Sequence, residues 1–120
     1  MSKLNNQRER KGLRPLKWDE QMGYVARRHA RAMAKQRRVE HDYRVGQRVT
    51  RWLSLAQNSG SGKSCMEIVR AFWWSSGHRA NILGRWRYVG VGVHRARAGR
   101  VYVQQIYEYK SNPGNVYRIP

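Results

Sequence analysis

The run Ser75-Ser76-Gly77-His78-Arg79-Ala80-Asn81-Ile82-Leu83 sets a helix stop, a histidine, a guanidinium and an amide between two apolar segments. Small, flexible residues at 75–77 end the element before them, and three hydrogen-bonding side chains follow within about one turn of chain. Such a concentration marks the edge of a polar cleft. The serines ahead of Gly77-His78 read as caps on a turn. Arg79 and Asn81 read as groups tying that turn to neighbouring backbone carbonyls.

Outward from this run the pattern is mixed. Upstream, Cys65, Ile68, Val69, Phe72 and Trp73 recur at helical spacing, which predicts an amphipathic helix with Cys65 as a small core residue. Trp73 and Trp74 are adjacent and cannot both face inward, so one of them lines the cleft or a partner surface. Downstream, Val89, Val91 and Val93 alternate within a strand over Arg87–Arg97. The bare Gly90 and Gly92 invite close approach by another element. Ala98-Gly99 turns the chain into a return strand, Val101–Tyr109, and the two form a hairpin. A Pro113-Gly114 turn and a polar tail over 110–120 complete the second half. Asn58-Ser59-Gly60-Ser61-Gly62-Lys63 reads as a flexible loop dividing the chain. Before it, Val39–Gln47 reads as irregular, and Arg48–Leu55 as a helical turn with Val49, Trp52 and Leu53 inward.

The first half is helical. Leu4–Lys11 predicts a short helix ending at Gly12, and Pro15 blocks its continuation. Asp19 caps the next helix, whose Met22, Val25, Ala26, His29, Ala30 and Met33 form one buried stripe, with His29 a satisfied core histidine. Its opposite face carries Arg27, Arg28, Arg31, Lys35 and Arg38. Two or three helices on a small antiparallel sheet give an α+β layered fold in one domain over residues 4–109.

The balance of 25 Lys and Arg against 7 Asp and Glu, a formal +18 over 120 residues, calls for a partner. Self-repulsion at this density opposes a compact state, and a polyanion relieves it. Most of the cations are arginines, whose planar fork matches phosphate. They recur on three elements: the Arg27, Arg28, Arg31, Lys35, Arg38 stripe, the Arg85 and Arg87 pair, and the Arg95, Arg97, Arg100 hairpin. No base-reading motif accompanies them, so contacts to nucleic acid would fall on phosphates. The one cysteine cannot form an internal disulfide. No apolar run nears the roughly 20 residues of a membrane span, and the first residues lack an apolar core. A chain without anchor or signal peptide, acting inside a cell or a particle, is the expectation.

Several ordered blocks resemble bacterial domains of the CAP family, which comprises cysteine-rich secretory proteins, antigen 5 and plant pathogenesis-related proteins. The opening run is similar to S-P-G-H-R-x-N-I-L, with Ser76 in place of proline. Leu4-Asn5 through Arg8 resembles L-N-x-x-R, and Gly12-Leu13-x-Pro15-Leu16-x-Trp18-Asp19 resembles G-L-x-P-L-x-W-D. Ala26-x-x-His29-Ala30-x-x-Met33-Ala34 is similar to A-x-x-H-A-x-x-M-A, and the segments at 88–93 and 103–107 resemble the two final strands. The resemblance implies a CAP-like α-β-α sandwich. It also implies a central cleft in which two histidines and one or two glutamates can hold a divalent metal. The histidines carry over to His41 and His78. The G-E-N-I segment best matches Ala56-Gln57-Asn58-Ser59, which puts Gln57 at the position of the acid.

For the site, His41, Gln57, His78 and Asn81 are the expected cleft residues. His41 and His78 supply two zinc ligands where catalytic zinc keeps three from the protein, with Glu40 and Asp42 the nearest carboxylates in sequence. No nucleophile with base and orienter presents itself. The reading is a non-catalytic CAP-domain module, without cofactor, that docks its basic surface on a polyanion. Nucleic acid, a virion or ribonucleoprotein assembly, and a phosphate-rich wall polymer are the candidate partners. The rival is a zinc-assisted hydrolase using His41 and His78. Lipid or sterol binding is implied by the resemblance alone.

Overall fold

The computed structural model describes residues 2–50 and 52–109. In chain order its elements are α1 (Ser2–Arg10), β1 (Lys17–Trp18), α2 (Glu20–Gln36), α3 (Val45–Arg48), β2 (Ser54–Gly62), α4 (Cys65–Trp74), α5 (Ser76–Ile82), β3 (Tyr88–Arg95) and β4 (Val101–Tyr109). Asp19 caps α2 as expected, its side chain accepting the Met22 N–H at 2.9 Å. Ser64 does the same for α4 through the Glu67 N–H at 3.1 Å. Gly12 takes a left-handed φ of 73° just past α1.

The four strands lie in the order β1-β3-β4-β2. β3 and β4 form the expected hairpin, with Val89 opposite Tyr107 and Val93 opposite Val103. β1 runs parallel to β3, so the sheet is not wholly antiparallel. Helices cover both faces. On one, Leu4, Ile68, Phe72 and Ile82 pack against Val103 and Tyr107; on the other, Met22, Val25 and Ala26 pack against Ile106, and Ala30 and Met33 against Tyr102. The alternation of β4 sends successive side chains to opposite layers, which makes the α-β-α sandwich.

Gly90 and Gly92 do what their bareness predicts. A Cβ on Gly90 would lie 2.3 Å from the Met22 carbonyl carbon, and one on Gly92 2.2 Å from that of Ala26. Backbone of α2 rests directly on β3 there.

The second quarter of the chain departs from expectation. Residues 58–62 are not a flexible loop but the end of β2, paired with β4 from Ser54 opposite Tyr109 to Gly62 opposite Val101. Their glycine content reflects packing: a Cβ on Gly60 would stand 2.8 Å from the Phe72 ring. The helical turn expected over 48–55 lies earlier, at α3, and only its Val49 is buried; Trp52 and Leu53 are exposed. Cys65 is exposed as well, because it sits in the first turn of α4 ahead of the inward Ile68 and Phe72. The run at 76–82 is a short helix rather than a simple turn. The expected Pro113-Gly114 turn and tail lie outside the described residues.

Candidate functional site

β2 forms one edge of the sheet, and its backbone divides a polar stack into two halves. Asn58 and Gln105, opposite one another in the ladder, belong to the half under α5. Asn58 Nδ2 donates to Gln105 Oε1 and to the His78 carbonyl, both at 3.1 Å, and Asn58 Oδ1 accepts from Asn81 Nδ2 at 2.9 Å. Tyr107 Oη donates to Gln105 Oε1 at 2.7 Å. Asn81 also reaches the Gln57 carbonyl at 3.2 Å. His78 and Asn81 both meet β2 from α5, Asn81 through its side-chain amide and His78 through its backbone carbonyl.

The other half carries the residues between 40 and 60. Gln57 Oε1 accepts the Asp42 N–H at 2.9 Å, and Gln57 Nε2 donates to the Asp42 carbonyl at 3.2 Å. The side-chain amide thus pairs with backbone as another strand would. Gln104 Nε2 donates to the same Gln57 oxygen at 2.6 Å, and Ser59 Oγ donates to Gln104 Oε1. Gln57 therefore fixes the loop that bears His41. The carboxylates beside His41 are engaged elsewhere: Asp42 lies 3.3 Å from Arg48 Nε, and Glu40 pairs with Arg38 at 3.0 Å.

His78 is half-buried, its ring stacked on Phe72 with centroids 4.8 Å apart, and its Nδ1 is 2.9 Å from Ser75 Oγ. Burial lowers its pKa from the ordinary value, and the nearby charge of His41 adds to the shift. His78 is therefore neutral at about pH 7. His41, by contrast, is exposed. Deeper in, the Tyr107 hydroxyl is held protonated by burial, which outweighs the opposing Arg8 guanidinium.

This donor set does not fit a four-coordinate metal. Two imidazoles are present, the Gln57 oxygen already accepts two N–H groups, and among the described residues no three His, Cys, Asp or Glu side chains converge.

A match to the CAP family model, described as the cysteine-rich secretory protein family, extends over residues 1–107. The chain belongs to this family. Solved structures share its fold. An outer surface protein of Borrelia burgdorferi superposes with a TM-score of 0.83 at 15% identity, covering 92% of this chain and 89% of that one. An extracellular SCP-domain protein of Bacillus anthracis gives 0.78 at 26% identity over 89% of this chain and 38% of its own length. Venom allergen-like protein 4 of Schistosoma mansoni gives 0.69 at 10% identity over 99% and 89%. No curated protein matches the sequence.

The expected basic residues in this CAP domain do not form one surface. Arg28, Arg31 and Lys35 of α2 line a groove with His94 and Arg97, and a second groove joins Lys35 and Arg37 to Arg97 and Arg100 at the hairpin end. Among the described residues, no carboxylate lines either one. Arg38 is instead paired with Glu40. Arg95 Nη1 donates to the Gly99 carbonyl at 3.0 Å and braces the hairpin turn. Arg85 and Arg87 precede β3 and so sit at the far end of that strand from Arg97, roughly 25 Å away by strand rise. Arg79 departs from its expected backbone contact and lies over the Trp73 ring at 5.7 Å.

Sequence reading missed most of the polar stack, namely Ser59, Gln104, Gln105 and Tyr107. Its signal was the pair Gln104-Gln105 inside an otherwise apolar strand, since consecutive strand residues face opposite layers and both must be satisfied.

Proposed function

We propose that the protein is a CAP-domain binding module that docks the α2 and hairpin face on a phosphate-bearing polyanion, with the cleft serving as scaffold. The carrying observation is the gathering of Arg28, Arg31, Lys35, Arg97 and Arg100 around two adjoining grooves that, among the described residues, no carboxylate lines. Binding there releases counterions and falls steeply with salt. The cleft supports the same reading, because its amides are committed to one another and to backbone, leaving no acid to orient either histidine.

The test is binding to duplex DNA, RNA and an anionic wall polymer side by side across a salt series. The wall polymer belongs in the set because proteins of similar fold include an outer surface protein and an extracellular one. A steep salt dependence for one polymer, well above the others, names the partner class. Weak, equal binding to all three refutes the docking reading. The zinc-assisted hydrolase lacks a third protein ligand among the described residues. It requires stoichiometric zinc after purification in zinc-supplemented buffer.

A further inference from the structure

A different groove, between α1 and α4, carries a chemistry that the α2 face lacks. About 650 Å³ in volume, it is lined by Lys3, Arg10 and Lys11 from α1 and its end, and by Arg70, Trp73 and Trp74 from α4. Trp74 is 80% exposed, which for the largest apolar side chain means a bare aromatic face in water. Lys3, Asn6 or Gln7, and Arg10 follow one another at helical spacing, so α1 presents one polar, cationic edge to it. Among the described residues, no carboxylate lines it.

The groove has firm walls. Arg8, 2% exposed, donates from Nη1 to the Ile82 and Gly84 carbonyls at 2.8 and 2.7 Å and from Nε to the Arg14 carbonyl at 3.0 Å. Asn5 pairs both ways with the Leu16 backbone, at 2.8 and 3.1 Å. Leu4 is buried in the same cluster as Phe72, against which Trp73 also packs. Helix α1 is therefore a docked wall, and its cations line the same groove as Trp74.

We infer that this groove binds single-stranded nucleic acid, with Trp74 stacking an unpaired base while Lys3, Arg10, Lys11 and Arg70 meet the flanking phosphates. Charge complementarity selects a polyanion, and the exposed indole selects one whose repeat carries a flat π-face. A duplex keeps its bases stacked on each other, and a polyphosphate has none to offer. The residues are separate from those of the α2 and hairpin face, so either site can fail without the other.

The experiment measures anisotropy of a short labelled oligothymidylate, with labelled duplex DNA and linear polyphosphate for comparison. It uses the full chain in an Arg31→Gln, Lys35→Gln, Arg97→Gln background, which removes the α2 face from competition. Trp74→Ala is expected to weaken oligothymidylate binding by about tenfold and to leave duplex and polyphosphate binding unchanged. Trp74→Phe keeps affinity within about threefold, since a smaller ring still stacks. Arg70→Gln with Lys11→Gln weakens every polyanion at this groove and flattens its salt dependence. Equal loss for all three ligands in Trp74→Ala, no loss for any, or polyphosphate bound as tightly as oligothymidylate overturns the inference.

Discussion

The polar stack at β2 and the basic face of α2 put hydrogen-bonding side chains to opposite ends. At β2, Asn58 is fully buried, its Nδ2 donating twice and its Oδ1 accepting from Asn81, while Gln57 pairs in both directions with the Asp42 backbone. On α2, Arg31 and Lys35 line open grooves with Arg97, and among the described residues no carboxylate lines them. A buried polar group must find its partner inside the fold, whereas an exposed cation is satisfied by water until a better anion arrives. The interior of this CAP domain is thus closed chemistry, and the cations that line its grooves lie outside.

The contrast is open to attack first at Asn58. Asn58→Ala strands the His78 carbonyl and removes one acceptor from Asn81, and it should cost about 3 kcal/mol in urea unfolding. A loss below about 1 kcal/mol would mean that the stack is not structural. Gln57→Glu is a finer probe, because a carboxylate accepts the Asp42 N–H but opposes the Asp42 carbonyl. We expect about 2 kcal/mol of destabilisation near pH 7, shrinking toward pH 4 as the carboxyl protonates and can donate again. Equal loss at both pH values would contradict the amide pairing.

Substitution of the outer face should leave the fold nearly untouched. Arg31→Gln, Lys35→Gln and Arg97→Gln together should shift stability by no more than about 0.5 kcal/mol, toward either sign. A loss of several kcal/mol would make these cations structural and erase the contrast. The smallest effect belongs to the histidines. His41→Gln removes the lesser of the two causes lowering the His78 pKa, so NMR titration should show His78 rising part of the way toward its ordinary value. The sign for stability follows from the unfolded chain taking up the proton first: the His78 contribution is complete above about pH 6.5 and is lost as pH falls below it. No change in the His78 titration would separate the two rings.

Much of this architecture is legible in the sequence because it rests on local or periodic signals. Asp19 and Gly12 mark helix ends, the α2 stripe has helical period, and Val89, Val91 and Val93 alternate beside glycines that admit a helix backbone. β2, by contrast, is hidden. Its Asn, Ser and Gly composition reads as loop, since the pressure behind Gly60 comes from Phe72 and that behind Asn58 from Gln105, 47 positions away. The cleft was half legible: His78 and Asn81 stand in one motif, but the pairing of Gln57 with Asp42 depends on register and has no sequence signature. The groove beside Trp74 arises from two helices far apart in sequence, and only the impossibility of burying both Trp73 and Trp74 hinted at it.

The most direct trial of an outward-facing partner surface compares log affinity against log salt for the polymer that binds best, in three proteins: the native chain, the Arg31→Gln, Lys35→Gln, Arg97→Gln variant and His78→Ala. The triple variant should lose roughly 2 to 3 units of slope while His78→Ala keeps the native line. A native slope in the triple variant, with affinity lost in His78→Ala, would place the partner in the cleft and contradict docking on the α2 and hairpin face.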